Sequence, residues 1–276
     1  MSEPLRGWRK LAGSSWHAPD DPQFFGDLEI DATALLSYVD ELRATTGVRV
    51  TITHLVARAV AYGLAQVPEL CVRLAHGRTY PRESVDLFFI VSTDGGRELT
   101  GFKIKDADTK SAVRIAAEAN RRTRQIEAME DRTLRRGKDF LSALPRGLLR
   151  PALNLAAWLT SDLNLDLSRF GMPRQAFGGA MITSVGMWGV TKAYSPLARY
   201  YRVPLLVLVG AVRLRPVVIG HEVTARPMLT LTATFDHRYA DGSHAARLAE
   251  AVQCYCADPG AIDMSIQNEG DERATV

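Results

Sequence analysis

Apolar residues recur along this chain with two different spacings, and the order in which the spacings alternate predicts strands and helices in mixed succession. Phe24 to Ile30 reads as a short apolar and acidic strand. Asp31 then reads as the cap of a helix in which Leu35, Leu36, Val39 and Leu42 return every three or four residues. A second helix is expected over Thr53 to Gln66. It is apolar around most of its circumference, which implies burial between layers, and His54 reads as a satisfied helix-terminal residue. Strands follow at Cys71 to Leu74 and Val85 to Ser92. The second, VDLFFIVS, is continuous enough in apolar character to be covered on both faces. Asp94, Gly95 and Gly96 form a turn into a returning strand, Leu99 to Ile104, and so a hairpin. Thr109 to Leu134 is predicted as a long helix whose many arginines alternate with Glu118, Glu127, Glu130 and Asp131, the signature of a solvated face. Further strands are expected at Gly178 to Ser184 and Leu205 to Val212, with a hairpin over Arg215 to Arg226 that carries Gly220 and His221 at its tip.

The stretch with chemistry in it lies near the C-terminus, TLTATFDHRYADGSHAARL, Thr230 to Leu248. Strand alternation runs to Phe235 and helical spacing begins near Ser243, so the reading is strand, tight loop, helix. The loop delivers His237 at a strand end, with Asp241 four residues on and Gly242 beside it. A histidine so placed can take and return a proton near neutral pH. By itself H-x-x-x-D-G is as compatible with a polar surface loop as with an active site. His244, on the following helix, reads as surface rather than site.

Composition narrows the setting. The chain has 276 residues, 46% hydrophobic and 24% charged, ordinary for a soluble globular protein, and its net charge of +3 gives no reason to expect nucleic acid. Cys71, Cys254 and Cys256 make no paired framework and no metal-ligand set, so buried free thiols in a reducing, cytoplasmic compartment are expected, with no metal. The N-terminus lacks a signal-peptide core, and no run of eighteen apolar residues occurs.

Three segments in one order resemble the catalytic domain of the dihydrolipoyl acyltransferases of 2-oxoacid dehydrogenase complexes, whose fold and histidine chemistry are shared with chloramphenicol acetyltransferase. RPMLTLTATFDHRYADGSHAARL, Arg226 to Leu248, is similar to that family's closing strand, active-site loop and helix. VSTDGGRELTGFKIKDADTKS, Val91 to Ser111, is similar to its central strand pair, and ITSVGMWGV, Ile182 to Val190, to its Ser/Thr-containing turn. The resemblance spans about Phe24 to Pro259. It implies an α/β fold of the chloramphenicol acetyltransferase type, a two-layer arrangement of a central mixed sheet flanked by helices. Around that domain, taken as residues 24–260, an arm (1–23) and a polar tail (261–276) are expected.

The resemblance also implies a reaction: transfer of an acyl group between coenzyme A, as its thioester, and a dihydrolipoamide-type thiol or a small molecule. His237 would be the base. The likeness of ITSVG to the family's turn puts Thr183 at the position of the hydroxyl that would donate to the oxyanion, and since adjacent strand residues point to opposite faces only one of Thr183 and Ser184 can aim at the site; Ser184 and Gly242 would support the oxyanion or the turn. Asp241 would hold the loop by pairing with a cation of the arm, an arginine in the family, for which Arg9 or Lys10 is the candidate. The family places this site between subunits of a homotrimer, from which larger cages are sometimes built. No lipoyl domain is recognisable here, so a lipoyl group would have to arrive in trans on a lipoyl-bearing protein.

Two departures from the family pattern stand out. Residues of about 137–170 are extra, and Pro145 and Pro151 are expected to divide them into short helices. This insert is too broken by charge to cross a bilayer, and membrane contact through it is not expected. A helical subdomain on the core or on a neighbouring subunit is favoured over a lid on the substrate channel. The family's Asn-Pro-Pro segment is replaced by Tyr194, Ser195, Pro196 and then Arg199, Tyr200, Tyr201 and Arg202, which bears on the pocket rather than the chemistry. The competing readings are a non-catalytic oligomeric scaffold that keeps the fold and, third, a relative of peptide-synthetase condensation domains.

Overall fold

The computed structural model describes residues 21–93, 95, 98–128 and 146–265. Its centre is a seven-stranded mixed sheet in the order β1-β9-β7-β6-β4-β5, with β8 paired to the outer part of β9. The strands are β1 (Gln23–Asp31), β4 (Leu87–Thr93), β5 (Glu98–Ile104), β6 (Ala180–Ser184), β7 (Leu205–Val209), β8 (Arg213–Ile219) and β9 (Glu222–Asp236). A separate ribbon is formed by β2 (Val72–Ala75) and β3 (Arg78–Pro81). The β4–β6 and β6–β7 pairs are parallel and the remaining pairs antiparallel. The helices are α1 (Thr33–Thr46), α2 (Ile52–Gln66), α3 (Ala112–Glu127), α4 (Arg146–Ala157) and α5 (Gly242–Ala257).

The two faces of the sheet are covered differently. Leu229, Leu231 and Phe235 of β9, Val207 of β7 and Ile182 of β6 join the main core with α1, α2, α3 and α5. The alternate positions, Leu206, Leu208 and Met181, form a smaller cluster with Phe88, Phe177, Leu197 and Tyr201. Helices thus cover one face and irregular chain the other, because the period of two sends successive side chains to opposite sides. Phe88 and Ile90 of β4 lie half-buried in the second cluster, so that strand is covered on both faces, as its unbroken apolar run predicts.

Several boundaries differ from the sequence expectation for local reasons. The third helix begins at Ala112 rather than Thr109, since Asp106 takes a left-handed backbone and Ser111 caps the helix by accepting from the Arg114 N–H. Its predicted end, up to Leu134, lies outside the described residues. Ala32, not Asp31, is the N-cap of α1; the Asp31 carboxylate accepts instead from the Thr33 N–H at 2.9 Å. Pro151 does not divide the insert but sits inside α4. In the second turn it forfeits only the bond to the Gly147 carbonyl, and the helix continues into a widened turn, Trp158–Asp162. Cys71 and Cys256 are buried free thiols as expected, but Cys254 is exposed.

Two polar arrangements lock the helical layer. The buried carboxylate of Asp263 accepts from Arg58 Nε (3.0 Å), the Tyr38 hydroxyl (3.3 Å) and the Ala112 N–H (2.9 Å), joining α2, α1 and α3. Both members of the Arg58–Asp263 pair are almost wholly removed from solvent. Loss of one partner strands the other charge, so Asp263→Ala is expected to lower stability by about 3–5 kcal/mol, read from urea unfolding. At the start of α2 the Thr51 N–H donates to His54 Nδ1 at 3.2 Å, which accounts for the histidine there. Burial, with Arg49 and Arg43 adding to it, pushes the His54 pKa down to about 4. The unfolded chain takes up this proton near pH 6.5 and the folded chain does not, so stability present above that pH is lost as the pH falls towards 4. Between pH 7 and pH 5 the melting temperature of the wild type should therefore fall further than that of His54→Gln, which keeps the capping geometry without the titration.

Candidate active site

Four elements position the histidine. β9 carries the chain to Asp236, whose N–H donates to the Pro204 carbonyl, and the next N–H, of His237, donates to the carbonyl of Pro22. The loop then closes on itself as Tyr239 and Ala240 donate to the Asp236 carbonyl. Phe235 stacks on Phe24 with ring centroids 4.8 Å apart, and the His237 ring lies 5.1 Å from Phe24, tilted by 58°. The imidazole is exposed and forms no hydrogen bond to any described residue. Among the described residues no side chain competes for the proton that its ring could take from another molecule.

Asp241 serves the loop in a way the sequence reading did not foresee. It is the N-cap of α5, and its carboxylate accepts from the Ser243 N–H (2.9 Å), the Ser243 hydroxyl (2.7 Å) and the His244 N–H (3.2 Å). His244 Nδ1 lies 2.7 Å from the same oxygen, so this histidine helps to close the cap rather than standing alone on the surface. The Ser243 hydroxyl, followed by the His244 N–H, holds the Asp241 carboxyl well below the usual carboxylate range. Arg9, the arginine expected as its partner, lies outside the described residues. Arg238 is taken by Asp236, with Nε 2.9 Å from Oδ1. The clue to the cap was in the sequence: an Asp directly before Gly-Ser-His at a helix start is a capping pattern.

The two hydroxyls on β6 point to opposite faces. Ile182 belongs to the helix-covered core and Met181 to the second cluster, so alternation puts Thr183 on the side of Met181 and Ser184 on the side of Ile182. Ser184 is committed to the turn: its hydroxyl donates to the Val209 carbonyl (3.3 Å) and accepts from the Gly186 N–H (3.3 Å). The Thr183 hydroxyl bonds to no described residue. The turn that follows is tight, since a Cβ on Gly186 would lie 2.6 Å from the Gly210 carbonyl oxygen.

Register separates Thr183 from His237. Thr183 pairs with Leu208, which pairs with Thr232, so the hydroxyl is level with a residue five positions before the histidine and two strands away. At about 3.3 Å per residue and about 4.8 Å per strand, that is roughly 20 Å within one chain. The two groups do not meet in a single copy.

A cleft of about 730 Å³ adjoins the histidine loop, with Asp236 and Arg238 in its wall together with Pro22, Gln23, Leu153, Tyr200 and Val203. Among the described residues there is no cluster of three or more side chains suited to hold a metal, and no helix is long and apolar enough to cross a membrane.

The family model for the 2-oxoacid dehydrogenases acyltransferase (catalytic domain) matches residues 2–135 and 173–264. The chain belongs to that family. The match is interrupted over residues 136–172. The dihydrolipoyllysine-residue acetyltransferase component of the Zymomonas mobilis pyruvate dehydrogenase complex is 24% identical over 82% of this chain and 42% of its own length. The corresponding component of the Bacillus subtilis acetoin cleaving system is 25% identical over 94% of this chain and 56% of its own. The chain therefore spans about half the length of the curated relatives it matches. Two solved structures share the fold. A probable dihydrolipoamide acetyltransferase from Listeria monocytogenes gives a TM-score of 0.64 at 19% identity, covering 93% of this chain and 94% of that one. The dihydrolipoamide acetyltransferase of Azotobacter vinelandii gives 0.65 at 23% identity, covering 88% and 84%, and was studied for the role of a serine, a histidine and an asparagine in its catalytic mechanism.

If Asp241 acts as a cap, an amide should replace it, whereas a partner for an arginine must keep its charge. Asp241→Asn is expected to retain the wild-type melting temperature and Asp241→Ala to lower it, as measured by circular dichroism. A drop of equal size in both variants would assign the aspartate to an ion pair instead.

Proposed function

We propose that this member of the acyltransferase family moves an acyl group between coenzyme A and an acceptor, either a dihydrolipoamide-type thiol or a small molecule. The observation that carries the reading is His237, held by backbone bonds at the end of β9, its exposed ring against Phe24 and without a hydrogen bond to any described residue. The imidazole takes the proton from the acceptor's S–H or O–H as the sulfur or oxygen attacks the thioester carbonyl. The C=O electron pair moves onto oxygen, and the Thr183 hydroxyl donates to that oxyanion. Collapse of the intermediate breaks the C–S bond, and the departing coenzyme A thiolate takes the proton back from His237. Preorganised oxyanion donors are worth roughly 3 to 4 kcal/mol in other enzymes.

The separation of His237 and Thr183 supports a site shared between copies, and we infer a homotrimer. Exposed apolar surface supports the same reading. Leu214, Val218 and Val223 on the β8–β9 ribbon are 75%, 70% and 74% exposed. Leu214 pairs across the ribbon with Pro227, Pro216 with Ala225 and Val218 with Val223, so one face of the ribbon is wholly apolar. A two-stranded ribbon with such a face is marginal in water alone. Another relative by fold is the cubic core of a pyruvate dehydrogenase multienzyme complex, which favours a larger assembly without requiring one. A lipoyl group would come in trans on a partner protein, and a cytoplasmic setting suits the three free thiols. A non-catalytic scaffold has no use for a histidine and a threonine whose side chains bond to no described residue.

Thiol release from acetyl-, propionyl- and longer acyl-coenzyme A, with dihydrolipoamide present, should be lost in His237→Ala and fall about 10²- to 10³-fold in Thr183→Ala. Co-assembly of the two variants is expected to restore about a quarter of the sites, because random pairing puts an intact histidine opposite an intact threonine in that share of interfaces. A site complete in one chain restores none.

A further inference from the structure

On the helix-covered side of the sheet, a pocket of about 210 Å³ opens between β1 and α5. It arises because small residues coincide there. Gly26 of β1 pairs in register with Ala233 of β9, and Ala245 and Ala249, about one turn apart on α5, line the other wall. Phe24 and Leu28, which share a face of β1 with Gly26, both pack against the main core. The glycine is therefore a gap in an otherwise continuous apolar row.

The pocket has a floor as well as a mouth. Val60 of α2, Val207 of β7, and Leu248 and Val252 of α5 are each 5% exposed or less and close its inner end. Gly26, Leu28, Ala245 and Ala249 are half-buried and frame the opening at the edge of the sheet, where β1 has no neighbour but β9 among the described strands. Asp27 is the one charged residue among the described residues of the lining, and it contributes backbone alone. Its carboxylate is on the other side of the sheet, accepting from Lys192 Nζ and the Tyr194 hydroxyl, each at 2.8 Å. Thr232 also faces away, its hydroxyl donating to the Ala193 carbonyl. Phe235 completes the wall and stacks on Phe24, whose ring lies against His237, so an occupant sits two rings from the imidazole.

We propose that this pocket binds an uncharged hydrocarbon group of about six carbons, a single aromatic ring or a short alkyl chain. Volume sets the size. An apolar cavity of about 150 Å³ stays dry and holds benzene in another protein, and this pocket is somewhat larger. The lining sets the chemistry, because it offers apolar contact and no polar side chain that could hold water or pair with a charge. Five elements bound it, β1, β7, β9, α2 and α5, which makes it a walled pocket rather than a bare apolar face. A Cβ added at Gly26 meets nothing closer than the Phe235 ring at 4.0 Å, so the space beside the strand is open to an occupant. Binding here stands independently of acyl transfer.

Fluorobenzene is the probe. Its binding to the full chain is followed by fluorine NMR titration for the wild type, Gly26→Leu, Ala249→Leu and Ala246→Leu. The first two variants fill the pocket from opposite walls; Ala246 is exposed on the same helix and outside the lining, so its variant controls for changes to the helix. We expect saturable binding to the wild type, weakened by roughly tenfold or more in both filled variants and unchanged in Ala246→Leu. Gly26→Leu should also melt no lower than the wild type, because its side chain enters a void and replaces a strand glycine. No saturable binding to the wild type, binding by the filled variants as tight as by the wild type, or equal weakening in Ala246→Leu overturns the proposal. So does a fall in melting temperature in both filled variants, since the added side chains would then have displaced the walls. Where only one of the two is destabilised, binding to the other decides.

Discussion

The alternation of β9 is the constraint on which the rest of the molecule depends. Its fifteen residues pair with β1, β7 and β8 and end one residue before the histidine. Leu229, Leu231, Ala233 and Phe235 face the helices, and Thr230, Thr232 and Thr234 face the other way. A slip of one residue would set three hydroxyls against an apolar helical layer, so the register is strongly specified. Because β1 and β7 both hold the strand in that register, the point at which it releases His237 is fixed as well. The chemistry is placed by the same pattern that places the core.

The threonine face has a second effect. Thr232 donates its hydroxyl to the Ala193 carbonyl, and Thr234 donates to the Ser195 carbonyl at 2.7 Å. These bonds lay the segment after β6 along the sheet, where Leu197 and Tyr201 can close over Met181, Leu206 and Leu208. A segment without regular structure thereby covers the second face. It also arrives beside Asp236 and Arg238, which is how a change in its residues reaches the surroundings of the histidine. Strand register, the loop cover and the cleft are three consequences of one run, TLTATFD.

Strands and buried helices were legible in the sequence because their spacing is a local property. The predicted strand at Phe24 and the helix ending at Gln66 fall within one residue of the observed elements. What was not legible depended on partners distant in sequence or on local bonds that spacing does not report. Asp241 reads equally well as one half of an ion pair and as a helix cap until the Ser243 and His244 donors are seen around it. Pro151 reads as a breaker, yet in the second turn of a helix it removes only one bond. The meeting of Leu153 with Val203 in one cleft, fifty positions apart in the chain, leaves no periodic trace at all.

The attachment of the insert also bears on how the cleft behaves. A helix hung on the surface by apolar contact alone can shift by small steps, whereas one tied through guanidinium groups to backbone carbonyls and a carboxylate has few alternative arrangements of equal energy. Arg82 is the centre of this fastening. Its guanidinium is held by the Val72 carbonyl, Gln175 and the Arg202 carbonyl, and burial pushes its pKa down. A guanidinium stays charged in proteins, and this fixed fork joins β2, Gln175 just after the insert, itself bonded to Asn164 within it, and the altered segment in one cluster. The wall of the cleft opposite the histidine loop is therefore set by the same ionic contacts that keep the extra helix in place, and the insert could not be removed without opening that wall.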